Sequence, residues 1–197
     1  GVDVDLDENL KVIKEGIETS KTSDYAASRG EYLSAKILAA KLGFDFVDAD
    51  EIIKFNDKGE LLLNYSLDAV KAKLSKLDHA VIPGFYGSDT NGKVHTFSRG
   101  GSDITGAIVA RAMKADVYEN WTDVSGLLAA DPHIVSTPRT VKYVSYRELR
   151  TLSYMGASVL HTDAVLPVSD LDIPINIRNT DHPDDAGTTI VRRLPHG

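Results

Sequence analysis

Apolar residues in EYLSAKILAAKLG fall at Leu33, Ile37, Leu38 and Leu42, a spacing that predicts an amphipathic helix, and Gly43 stands where a C-terminal cap belongs. The run FDFVDA after it reads as a strand. SLDAVKAKLSKL repeats the helical spacing through Leu67, Val70, Leu74 and Leu77 and leads into the apolar AVIPGF. Further on, SDITGAIVARAMKA predicts a helix, DVYENWTDV a strand, and SYRELRTLSYMGA a helix opened by a capping box in which Ser145 and Glu148 satisfy each other's end of the chain. IPINIRN and GTTIV read as two short closing strands. Helices alternating with buried strands define the α/β class. No internal repeat, low-complexity tract or linker breaks the pattern, so a single domain is expected over residues 1–197.

Composition narrows the class of function. With 197 residues and 42% hydrophobic content, the chain can bury one substantial core. Its 22 Lys and Arg against 29 Asp and Glu give a net charge of −7, which argues against a nucleic-acid partner or an anionic membrane surface. A local site for a small anion is still compatible with that balance. The absence of cysteine excludes disulfides, thiolate catalysis and Cys-based zinc sites. No apolar run approaches the ~18 residues of a membrane span, and the start GVDVDLDENL has neither the basic nor the apolar region of a signal peptide, so a cytoplasmic location is expected.

Two motifs mislead. GSDTNGKV fits G-x-x-x-x-G-K but places Val94 where a P-loop needs Ser or Thr, and its Asn-Gly turn followed by alternating NGKVHTF predicts a β-hairpin. Asp3, Asp5 and Asp7 imitate the start of a calcium loop, yet Glu8 replaces the required glycine and Lys14 the bidentate glutamate, leaving a solvated, acidic approach to a helix. The six histidines form no ligand cluster, so no metal site is expected in the protein itself.

TFSRGGSDIT is different because its parts agree. Gly100 and Gly101 permit a tight backbone, Ser102 can cap the helix that follows, and the first amides of that helix attract anions. Arg99 adds a planar fork for a carboxylate or phosphate. The spacing is equally compatible with a charged turn in which Arg99 pairs with a surface acid.

FSRGGSD, ENWTDVSGLLAADP and LSYMGASVLH, in order with SDYAASRGE, VIPGFYGS, IPINIRN and GTTI, resemble the amino-acid kinase family, and within it the catalytic domain of aspartate kinases. The resemblance runs from about Asp24 to Val191. It implies a three-layer sandwich with a mainly parallel sheet between helices, and transfer of a phosphoryl group from ATP, with Mg2+, to the side-chain carboxylate of L-aspartate. That reaction opens lysine, threonine and methionine synthesis. By matching position, Arg99 holds the α-carboxylate, Glu31 faces the ammonium group, Ser102 lies beside the acceptor, and Asp103 organises the catalytic centre. Thr122 and Asp123 match nucleotide contacts, as do His133 and Ser158, where the family commonly has arginine and lysine.

Several of these residues also have plainer explanations. Ser28 and Glu31 have capping-box spacing and could close a helix end, Trp121 could be packed core at a sheet edge, and Asp123, followed by Gly126, suits a turn. The family's KFGGSS-like phosphate loop is not found in these 197 residues, the first strand of the fold is expected to be missing with it, and regulatory ACT modules are not found either. The isolated chain is therefore expected to turn over weakly or not at all, since a group that stabilises the transferring oxygens commonly contributes ~10²-fold or more in rate. A homodimer is compatible with the family pattern. A kinase for glutamate or N-acetylglutamate, and a catalytically dead module that only binds substrate or nucleotide, remain the alternatives.

Overall fold

The computed structural model describes residues 5–20, 22–130, 134–154, 160 and 167–194. Its contacts cluster into two compact units, Gly1–Met113 and Lys114–Gly197. Both are α/β, as the alternating pattern predicts, and three of the five strand pairings among the described residues are parallel.

The first unit begins with α1 (Asp7–Ser20) and α2 (Ser23–Leu42), then β1 (Asp45–Phe46) and α3 (Ala49–Ile52). It continues with α4 (Leu63–Leu74), β2 (Ala80–Val81), β3 (Tyr86–Ser88), β4 (Val94–Thr96) and α5 (Gly101–Met113). β1 and β2 pair in parallel, and β3 and β4 form the antiparallel hairpin that the Asn-Gly turn predicts, with Gly92 at φ 78. Val47, Ile52, Ile53, Phe55, Val70, Tyr86 and Ile108 form the fully enclosed centre of this unit.

α2 corrects the reading of its apolar stripe. Ile37, Leu38 and Leu42 are exposed, whereas Ser28, Arg29, Ala35 and Ala39 are buried. The small Ala35 and Ala39 let the helix lie close against the hairpin and the short strands, so packing distance rather than side-chain size chose the inner face. The predicted cap is present: Gly43 is left-handed at φ 69 and its N–H bonds to the Ala39 carbonyl.

The second unit holds β5 (Tyr118–Thr122), β6 (Tyr143–Ser145), α6 (Tyr146–Tyr154), β7 (Ile175–Asn179) and β8 (Thr188–Val191). Its sheet has the order β5-β7-β8-β6, with β5 parallel to β7, β6 parallel to β8, and β7 antiparallel to β8. Ile175, Ile177 and Ile190 are fully buried on one face. The capping box forms as predicted, the Glu148 N–H donating to Ser145 Oγ at 3.2 Å and the Ser145 N–H to Glu148 Oε2 at 2.8 Å. The Ser145 N–H, and after it the Ser145 hydroxyl donating to the same Oε2 at 2.7 Å, hold the Glu148 carboxyl below its ordinary range. Among the described residues, no helix is long and apolar enough to cross a membrane.

Candidate functional site

The hairpin delivers the chain to the glycine-rich loop. Gly100 stands at φ 57 and its carbonyl accepts the Ile104 N–H at 2.9 Å, so α5 opens at Gly101. Ser102 therefore lies in the first turn rather than at the cap expected of it, because the glycine's left-handed backbone makes the entry unaided. Phe85, Phe97, Arg99, Gly100, Gly101, Ser102 and Asp103 line a cavity of about 330 Å³. Arg99 and Ser102 are exposed and Asp103 is half-buried. The cavity thus joins a guanidinium fork to the opening amides of a 13-residue helix, whose first N–H groups have no intrahelical acceptor.

Tight packing shapes that cavity. A Cβ on Gly101 would come within 2.6 Å of Phe85 Cβ and 2.8 Å of Phe97 Cβ, and one on Gly84 within 2.8 Å of Ser102 Oγ. Phe85 itself sits at φ 61, a conformation rare for a bulky residue that costs about 1–3 kcal/mol. The surrounding bonds hold it there: its N–H donates to Thr105 Oγ1 at 3.2 Å, and its carbonyl accepts the Phe97 N–H at 2.9 Å. Phe97 in turn packs on Phe55, with ring centroids 5.0 Å apart, and Phe55 on His95 at 5.9 Å. His95 Nε2 lies 3.1 Å from Asp89 Oδ2, both side chains nearly enclosed. This bond, more than the Lys93 and Asn91 amides that also reach Asp89, holds the Asp89 carboxyl below the ordinary carboxylate range.

Glu31 is exposed on α2, and it is not among the residues lining the cavity. The cap explanation for it fails, because Ser28 and Glu31 both lie inside the 20-residue helix and Ser28 Oγ donates to the Tyr25 carbonyl at 2.7 Å. Arg29 points to the buried side. Its Nε and Nη2 donate to Ser28 Oγ, and its guanidinium sits 4.6, 4.8 and 5.2 Å from the rings of Tyr25, Tyr32 and Tyr86. The Tyr86 hydroxyl donates to Asp48 Oδ1 at 2.7 Å, and burial, reinforced by that carboxylate, pushes the phenol well above its ordinary range. Asp50 is raised as well, first by burial and then by Asp48.

In the second unit, Thr122 and Asp123 stand at the C-terminal end of β5, the end of a parallel strand where α/β sheets bind ligands. The Thr122 carbonyl accepts from the Thr180 N–H at 2.9 Å and hydroxyl at 3.1 Å, while its own hydroxyl donates to Asp123 Oδ1 at 3.2 Å. Nearby, Ser125 Oγ donates to Asp185 Oδ2 at 2.6 Å and accepts from Asn179 Nδ2 at 3.0 Å. Trp121 is 43% exposed, not the packed core considered for it, and carries the Arg178 guanidinium over its ring at 4.8 Å. His133 and Ser158 lie outside the described residues. No group of three or more His, Asp or Glu able to hold a metal occurs among the described residues.

An α/β frame with a guanidinium and a glycine-rich helix start at one cavity is the arrangement of a small-anion site. The sequence profile of the amino acid kinase family matches residues 3–179, and the chain belongs to that family. Within it, the chain is 38% identical to aspartokinase 3 of Bacillus subtilis over 179 residues, 86% of this chain and 39% of that protein. It is 30% identical to the lysine-sensitive aspartokinase 3 of Escherichia coli, over 94% of this chain and 44% of that one. The crystal structure of Clostridium acetobutylicum aspartate kinase superposes with a TM-score of 0.91 at 50% identity, over 100% of this chain and 44% of that protein. E. coli aspartokinase III in complex with aspartate and ADP superposes at 0.80 with 28% identity, over 96% of this chain and 45% of its own. The chain therefore spans less than half the length of these relatives.

Proposed function

We propose that this chain is the substrate-reading part of an aspartate kinase, which moves the γ-phosphoryl group of MgATP to the side-chain carboxylate of L-aspartate and yields 4-phospho-L-aspartate and ADP. The observation that carries the reading is the cavity joining Arg99 to the first turn of α5. Arg99 binds the α-carboxylate with two parallel N–H bonds, and Glu31 faces the ammonium group. The opposite charges distinguish the two ends of an amino acid. Phe85 and Phe97 give the cavity an apolar wall against the substrate's carbon chain.

The acceptor is an ionised carboxylate, so one of its oxygens attacks phosphorus directly as the bond to the bridging oxygen of ADP breaks. No proton has to be removed, and the role of Asp103 is to organise charge at the centre rather than to act as a base. The remaining problem is repulsion between two anions, which positioning and neutralisation of charge overcome. Ser102 and the opening amides of α5 serve that purpose beside the acceptor. Thr122 and Asp123 contact the nucleotide, and His133 and Ser158 take nucleotide-side positions too. When bound, Mg2+ supplies positive charge at the phosphates; it is ordinarily held by one or two carboxylates together with phosphate oxygens, which requires no dedicated protein cage. The product places the protein at the entry to lysine, threonine and methionine synthesis, in the cytoplasm, with a homodimer as the expected assembly.

Trapping with hydroxylamine tests this. Expressed from its complete reading frame and given MgATP and L-aspartate, the protein should form aspartyl hydroxamate. Arg99→Ala should raise the KM for aspartate by about ten- to a hundredfold, the equivalent of one charged hydrogen-bond pair, and leave the KM for ATP nearly unchanged. Absence of hydroxamate, or a preference for glutamate, would sink the assignment.

A further inference from the structure

Phe85 walls the cavity at Arg99 from a backbone conformation that a bulky residue does not prefer, and both sides of that conformation are pinned. Changing φ swings a residue's N–H relative to its side chain and carbonyl. The Phe85 N–H donates to Thr105 Oγ1 at 3.2 Å and the Phe85 carbonyl accepts the Phe97 N–H at 2.9 Å, so each is held while φ stands at 61. Thr105 lies on α5 about one turn beyond Gly101, and its hydroxyl donates to the Gly101 carbonyl at 2.8 Å. An amide N–H can only donate, which leaves the hydroxyl proton for the Gly101 carbonyl and an oxygen lone pair for Phe85. One side-chain oxygen thus links the cavity's wall to the first turn of the helix beside it. Thr105 is itself 4% exposed and is not among the residues lining the cavity. The two backbones meet closely there: a Cβ on Gly101 would come within 2.7 Å of Phe85 Cα, and one on Gly84 within 3.0 Å of Ser102 Cα.

We propose that Thr105 is a positioning residue: its hydroxyl clips the Phe85 backbone to the opening turn of α5 and so sets where the aromatic wall stands against the helix start and Arg99, which together take the amino acid. The inference rests on the aspartate kinase reading. Without the hydroxyl, the Phe85 N–H loses its acceptor and the residue relaxes out of positive φ, carrying its ring, and Phe97 bonded to it, from the place they hold. The wall touches the acid's carbon chain before and during transfer alike, so its displacement weakens binding without removing an interaction made only in the transition state. The residues assigned to the nucleotide, Thr122, Asp123, His133 and Ser158, all belong to the second unit, whereas Thr105 and the cavity belong to the first.

The test uses the protein from its complete reading frame in the hydroxamate assay, with kcat and KM measured for aspartate and ATP. Thr105→Val keeps the shape of the side chain and removes the hydroxyl; it should raise the KM for aspartate about tenfold, while kcat stays within about threefold and the KM for ATP within about twofold. Thr105→Ala, which puts no methyl against the Phe85 N–H, should show the same split and decides the matter if the valine variant does not fold. Thr105→Ser keeps the hydroxyl and should bring the KM for aspartate back to within about threefold of the parent. Hydrogen exchange at the Phe85 amide, followed in the peptide 82–88, should quicken in both hydroxyl-free variants and recover in Thr105→Ser. Quickened exchange with an unchanged KM for aspartate overturns the inference and leaves the kinase reading intact. Unchanged exchange, an equal rise in KM for both substrates, or a serine variant as weak as the valine one overturns it too. No hydroxamate from the unsubstituted protein overturns the kinase reading and this inference with it.

Discussion

The cavity at Arg99 and the strand end at Thr122 are built in opposite ways. The cavity is built from backbone, with Gly100 and Phe85 both at positive φ and a helix start exposed by glycines. The strand end is built from side chains, with Thr122, Asp123, Ser125 and Asn179 held by the register of β5 on β7. A backbone site is exacting about space, because one added carbon meets Phe85. A side-chain site is exacting about which residue occurs at each position and tolerates neighbours that merely keep the ladder. Mutations should therefore fall into two patterns.

The largest effect should come from Gly187→Ala. Gly187 is at φ 68, and an added Cβ would overlap the Ile177 carbonyl, so strain and backbone displacement together cost about 3 kcal/mol or more. A thermal melt should show the second unit failing first; a melt unchanged within a degree would break the comparison. Gly101→Ala should be milder in stability, about 1–3 kcal/mol, yet should raise the KM for aspartate at least tenfold, because Phe85 and Phe97 must move. A selective rise in the KM for ATP instead would show that the cavity does not read the acceptor.

Acid sensitivity sharpens the comparison further. Asp89 has a lowered pKa in the folded state, so its bond to His95 stabilises fully above the ordinary carboxylate value of about 3.9 and is lost as pH falls through the depressed one. Asp89→Asn should lower the melting temperature at pH 7, and the gap from the parent should close below about pH 4. Glu148→Gln should behave with the same sign and the smallest amplitude of the four, since its partners are an exposed hydroxyl and amide at a helix start. Melting temperatures across pH 2 to 7 distinguish them; a gap that widens in acid would contradict either assignment.

Local features were legible where the physics is local. The Asn-Gly hairpin, the Ser145 and Glu148 box and the Gly43 cap depend on residues a few positions apart, and each forms. The face of α2 was not legible, since its apolar stripe at Ile37, Leu38 and Leu42 stays exposed and alanines make the contact. Arg99, Ser102 and Asp103 share a cavity as their adjacency suggests, but the phenylalanine wall was missed. No propensity signals that Phe85 adopts a positive φ; that follows from Gly101 leaving room and from bonds to Thr105 and Phe97. The bond from the Thr96 N–H to Asp24 Oδ2 spans 72 positions and has no periodic signature.

Trp121 is the chain's sole tryptophan, and it lies in the second unit with a guanidinium over its ring. Excited at the red edge of indole absorption, the protein would emit from that one location. Its spectrum would follow loss of the Arg178 stack without interference from the first unit, whose aromatic groups are phenylalanine and tyrosine. Far-ultraviolet dichroism sums over every helix, so a difference between the two melting curves would show optically that the units come apart in sequence, with no label attached.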